Sequence, residues 1–222
     1  AGVINVLYGA VVTVRQTDLK RLIAFSSISH MGYVLIGLSA IASKGADAAA
    51  VGLTGASMQM FTHGTITGLL FLTVGMIYDR THTRYIPDLG GLSNRIPIIG
   101  MAFLIAGLAS LGLPGTSGFA AEILVFLGAF SVWPWLTALA VFGVVITAGY
   151  ILWMIQRTFF GPMNDRWAQL TDATKLELIP IGMLIVVILV FGIYPAFLTD
   201  LFKMGVEPIV AVVTSSPEIL NR

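Results

Sequence analysis

Cysteine is absent from the 222 residues, which excludes disulfides, thiolate metal sites and a cysteine nucleophile. Charge is nearly as scarce: 10% of residues are Asp, Glu, Lys or Arg, against 57% hydrophobic, and the mean hydropathy is +0.92. Soluble domains carry about 25% charged residues, so this composition specifies a chain that lives in a bilayer. Net charge is +1 without a basic cluster, so no nucleic-acid partner is expected. The three histidines lack metal-ligand spacing such as His-Glu-x-x-His, so no metal site is expected either. Sheet patterning, a Gly-rich phosphate loop, a starting Met and a signal-peptide cleavage site are missing as well. The opening run, residues 1–14, is apolar but shorter than the roughly 20 residues that span a bilayer. The expectation is therefore a partial span, in the C-terminal part of a longer protein.

What is present is a series of apolar runs separated by short polar loops. They predict an all-α fold, a polytopic transmembrane bundle forming a single domain over residues 1–222. Full spans are expected at about 22–41, 51–78, 96–130, 136–159 and 178–198. Trp133 and Trp135 stand in the connector before the fourth, where interfacial aromatics belong. Gly161 and Pro162 close that span. The tail after 198 is weakly amphipathic and receives no assignment. Gly64 and Gly68 have small-xxx-small spacing, which predicts a close helix contact there.

The run Ile96–Phe130 organises the rest. A straight helix of that length would be roughly 50 Å long, against about 30 Å of hydrocarbon. Pro114, flanked by Gly112 and Gly115, predicts a helix broken at mid-membrane, over 112–118. Non-helical backbone at that depth persists only when buried in protein or lining a wet cavity. Glu122 follows the break and is the run's one charge. A carboxylate there costs a few kcal/mol or more, so it needs partners and a purpose.

Two further ionisable groups sit at matching depth, His30 in the middle of 22–41 and His63 in the middle of 51–78. One group per helix at one level suggests a polar layer parallel to the membrane. Histidine suits proton traffic because both protonation states are accessible near neutral pH. Glu122, His63 and His30 are thus the candidate proton-relay residues, and Gly112, Pro114 and Gly115 the candidate helix break. Ser26, Ser27 and Ser29 precede His30, and Thr62, Thr65 and Thr67 surround His63. Hydroxyls there can hold waters or bond helix carbonyls. The rival role for all three groups is a set of interhelical hydrogen bonds that only ties helices together.

Alternate loops hold Arg15, Lys20 and Arg21; Arg80, Arg84 and Arg95; Arg157, Arg166 and Lys175. The other side has Lys44, Lys203 and Arg222. The positive-inside rule places the first set in the cytoplasm, provided the broken element crosses once.

Four segments together carry a resemblance. TDLKRLIAFSSISHMGYVLIGL, MQMFTHGTITGLLFLTVGMIYDRTHTR, DLGGL and LGLPGTSGFAAEILVFLGAF are similar to the C-terminal half of an antiporter-like subunit of respiratory complex I. The likeness runs from about residue 5 to Pro195. YDRTHTR and Glu122 resemble the M type (the mitochondrial chain 4 type), because L-type and N-type subunits tend to have lysine where Glu122 stands. The resemblance implies a fourteen-helix subunit of two inverted repeats, each with a broken helix, this chain supplying the second. It implies that Glu122 exchanges protons with the periplasmic side and that His63 and His30 are links in a central hydrated axis. It also implies proton translocation driven by redox chemistry in partner subunits. Flavin, iron–sulfur clusters and quinone would be bound there, with no cofactor in this chain, and L-type and N-type subunits would be neighbours. A bacterial plasma membrane is the expected location. A subunit of a multisubunit sodium/proton antiporter or of a membrane-bound hydrogenase is the alternative.

Overall fold

In a computed structural model the chain is described over residues 1–42 and 45–215, so Lys44 and Arg222 of the charge count lie outside the described residues. Among the described residues eight α-helices follow one another: α1 Gly2–Val14, α2 Leu19–Ser39, α3 Ala46–Thr81, α4 Pro97–Ser110, α5 Ser117–Phe130, α6 Pro134–Phe159, α7 Lys175–Ile193 and α8 Ala196–Ser215. Short 3-10 turns fill several connections, and among the described residues the one β-type pairing is an isolated bridge between Asp18 and Tyr85. Leu19–Ala42, α3, α6 and α7 are long and apolar enough to cross a membrane. α4 and α5 are each about 21 Å long, too short alone but sufficient end to end.

Caps, which hydropathy does not register, set the helix ends. Asp18 accepts from the Arg21 amide and starts α2 at Leu19, three residues before the apolar run that predicted 22–41. α3 extends the predicted 51–78 to Ala46–Thr81, from Gly45 to a left-handed His82 at φ 54°. Its first turn, Ala-Asp-Ala-Ala-Ala, is polar enough to read as loop yet strongly helix-forming. Pro134 takes the first position of α6 rather than ending a connector. The predicted 178–198 is corrected at both ends. A Thr174–Glu177 capping box starts α7 at Lys175, and Pro195 stops it at Ile193 by forcing Tyr194 out of the helical region.

The unassigned tail is a helix. α8 buries Leu198 against Met58, Ala120 and Ala121, and Val206 and Val210 against Ala49 and Leu53. Its opposite face leaves Leu201, Met204, Ile209 and Val212 exposed.

Among the described residues the expected contact at Gly64 and Gly68 does not form, since a Cβ added at either would meet nothing within 4 Å. The close approach lies elsewhere. α5 runs antiparallel to α3 with Gly128 against Gly52, and with Leu124 and Val125 against Gly55. Spacing marks which glycines can admit a neighbour, while the facing helix determines which ones do.

One end of the bundle carries the basic loops. The Leu19 amide donates to the Arg84 carbonyl and the Ile86 amide to Thr17. Ser93 Oγ donates to the Phe159 carbonyl, and Trp167 Nε1 to Asp88. The loops after α1, α3 and α6 therefore meet at one end. Arg80 locks them to α7 with a bidentate pair to Glu177 at 2.7 and 3.1 Å, plus bonds to the carbonyls of Met76, Thr171 and Asp172. Asp172 accepts from the Ile98 and Ile99 amides and caps α4.

Candidate functional site

The break between α4 and α5 occupies 111–116, close to the expected 112–118. It is built from two standard turns. Leu113 N bonds the Leu108 carbonyl and Gly112 N bonds Ala109, the Schellman pattern, with Gly112 in the required left-handed region at φ 77°. The next turn closes with Thr116 N on Leu113 O, carrying Pro114 second and Gly115, at φ 91°, third. Proline at the second position and positive φ at the third are the type II signature. Pro114 thus stands just past the end of α4 and prevents its continuation, rather than kinking it from within.

Beyond the break α5 continues along α3 in the same direction as α4, its first turn packed against the end of α4. A Cβ at Gly118 would collide with the Ala109 carbonyl, so the half-helices touch backbone to side chain position. Glu122, 6% exposed, turns its carboxylate toward the break: a Cβ at Gly112 would come 2.7 Å from Glu122 Oε2. Glycine at 112 both closes the Schellman turn and leaves space for that carboxylate.

His30, His63 and Glu122, from three different helices, come together here. His30 Nδ1 lies 3.6 Å from Glu122 Oε1, within ion-pair range but beyond a good hydrogen bond. The His30 and His63 rings are 5.2 Å apart between centroids, tilted by 31°. His63 Nε2 is 3.1 Å from Ser27 Oγ, and His30 Nε2 is 3.3 Å from Ser110 Oγ. Between them lies a cavity of about 10 Å³, lined by His30, His63, Glu122, Gln59, Thr62 and Ser110 with a few small or apolar neighbours. That is about the size of a single water.

The hydroxyls divide. Ser26, Ser29, Thr62, Thr65 and Thr67 donate to backbone carbonyls. Ser27 also reaches the Ile23 carbonyl, at 3.2 Å, and is the one of the six that meets an imidazole. With its proton on Ile23, Ser27 takes a hydrogen bond from His63 Nε2–H. Ser110, in the last turn of α4, and Gln59, one turn before His63, were not singled out from the sequence. The signal for Gln59 was its spacing, four residues ahead of His63 and so on the same helix face. Nothing local marked Ser110.

Chemically, the arrangement gathers two imidazoles and a carboxylate around one small polar cavity. His30 and Glu122 can be an ion pair or, after one proton shifts, two neutral groups.

Residues 1–147 match the family described as NADH:quinone oxidoreductase/Mrp antiporter, TM. The chain belongs to that family. It is a membrane protein, and its fold is that of the family's antiporter-like membrane subunits. NADH-quinone oxidoreductase subunit M of Rhodobacter capsulatus is 41% identical over 93% of this chain and 39% of the relative. F(420)H(2) dehydrogenase subunit M of Methanosarcina mazei is 37% identical over 95% of the chain and 41% of the relative. A chain in the structure of respiratory complex I from Thermus thermophilus with bound NADH superposes with TM-score 0.81 at 33% identity, covering 96% of this chain and 43% of that one. The chain spans about two fifths of the length of these family members.

Proposed function

We propose that this chain forms part of a proton-translocating membrane subunit of an NADH:quinone oxidoreductase, and that His63, His30 and Glu122 relay the proton. The observation that carries this reading is the convergence of one ionisable group from each of α2, α3 and α5 on a single polar cavity beside a helix break. A proton reaching His63 passes to His30 and then to Glu122, and a change in nearby charge releases it from the carboxylate. Flavin, iron–sulfur clusters and quinone belong to partner subunits, so the driving energy arrives through contacts with them. L-type and N-type antiporter-like subunits are the neighbours within the membrane. A bacterial plasma membrane is the location, with the end bearing Arg80, Arg84 and Arg157 in the cytoplasm.

The test is proton pumping by the assembled complex in sealed vesicles, scored per electron delivered to quinone. Glu122→Gln and His63→Ala should each lower it by about 10²-fold, the usual contribution of a proton-transferring group, with assembly intact. Normal pumping in assembled Glu122→Gln would reduce the three residues to a structural tie. Sodium flux without NADH, in place of pumping, would move the chain to the sodium/proton antiporter branch of its family.

A further inference from the structure

His30, His63 and Glu122 are close together but incompletely connected. His30 Nδ1 and Glu122 are 3.6 Å apart, too far for direct proton transfer at hydrogen-bond distance. Both imidazole Nε2 atoms are occupied, one by Ser27 and one by Ser110. Gln59 lines the cavity that these groups share and is 2% exposed. Its Oε1 has no hydrogen-bond partner among the described residues. Of the buried side-chain oxygens in that condition, Gln59's is the one whose residue lines the cavity. A buried amide oxygen left bare is unfavourable, and a polar cavity of about 10 Å³ has room for one water.

We propose that Gln59 is the positioning residue of this relay: its Oε1 holds a single water between the imidazoles and the Glu122 carboxylate, and that water carries the proton across the gap. The inference rests on the proton-relay reading above. The water accepts an imidazole N–H, donates one O–H to Glu122 and donates the other to Gln59. Transfer moves the imidazolium proton to the water as the water gives one of its own to the carboxylate. The net change is a neutral imidazole, a carboxylic acid and an unchanged water, while Gln59 neither gains nor loses a proton. What Gln59 supplies is orientation, because a water with its second O–H anchored points its first at the carboxylate.

The experiment compares Gln59→Leu, which keeps the volume without the acceptor, and Gln59→Ser, which keeps a polar group and opens space for water. Both are read in the assembled complex in vesicles, alongside Glu122→Gln. Gln59→Leu should pump about tenfold more slowly with an altered pH profile, and Gln59→Ser should stay within about threefold of the parent. A density map of the parent complex should show a water against Gln59 Oε1. Equal loss in both Gln59 variants would make the side chain a packing element and overturn the proposal, as would normal pumping and pH profile in Gln59→Leu beside an inactive Glu122→Gln. Normal pumping in Glu122→Gln overturns the relay and this inference together. Should Gln59→Leu fail to assemble, the parent map decides, and a dry cavity ends the idea.

Discussion

The basic end and the centre of the bundle handle polar groups in opposite ways. At the end, Arg80 meets both oxygens of Glu177 and three carbonyls, and Asp172 takes two amides of α4. Each of the five N–H donors of Arg80 has an acceptor. At the centre, His30 Nδ1 and Glu122 Oε1 stand 3.6 Å apart, a buried amide oxygen lacks a partner among the described residues, and a water-sized cavity remains. A satisfied network is rigid and has one good arrangement; a partly satisfied one leaves several proton positions near in energy. The end therefore fastens loops and helix termini, and the centre retains the freedom that the proposed relay requires.

That division can be broken by experiment. The largest effect on stability is expected at Arg80. Arg80→Met leaves Glu177 and three carbonyls without their partner and should cost about 3 kcal/mol, read as a lower melting temperature of the purified complex. Pumping per electron in the surviving fraction should be unchanged, and a pumping defect without lost stability would erase the distinction. Arg80→Lys should recover part of the loss, because an ammonium cannot reproduce the two-pronged contact. Asp172→Ala should cost about 1 kcal/mol by uncapping α4, again sparing pumping. Ser27→Ala should invert the pattern, with stability within about 1 kcal/mol of the parent and pumping a few-fold slower as His63 Nε2 loses its partner. The smallest effect should come from Gly64→Ala, within about 0.5 kcal/mol, where the added methyl meets open space. Gly55→Ala is the counterpart, as its methyl would press on α5 at Leu124 and Val125 and lower the melting temperature.

The Gly55 and Gly64 contrast also measures what could be read along the chain. Both are glycines in one apolar helix, and the spacing of Gly64 and Gly68 was the better motif, yet the contact formed at Gly52 and Gly55. α8 escaped notice for a related reason: Asp200, Lys203 and Glu207 interrupt its hydropathy, and its apolar face has meaning beside α3 and α5. The break was legible because it is local, written by Gly112, Pro114 and Gly115 in consecutive turns. So was the presence of a carboxylate and two histidines in apolar surroundings. Ser110 was not, since what gives it a role is His30, eighty residues away in sequence.

The sequence by itself determined the solvent, the helical class, the place where one helix must part, and which buried side chains can hold a proton. These follow from local composition and backbone sterics, which need no knowledge of neighbours. Tertiary structure alone decided that His30, His63 and Glu122 share one cavity, that Gln59 and Ser110 join them, and that the basic loops interlock at one end. The physical reason is rotational phase. A helix apolar around most of its circumference does not specify which face turns inward, and that choice is made by the glycine seams and loop bonds that pack it against the others.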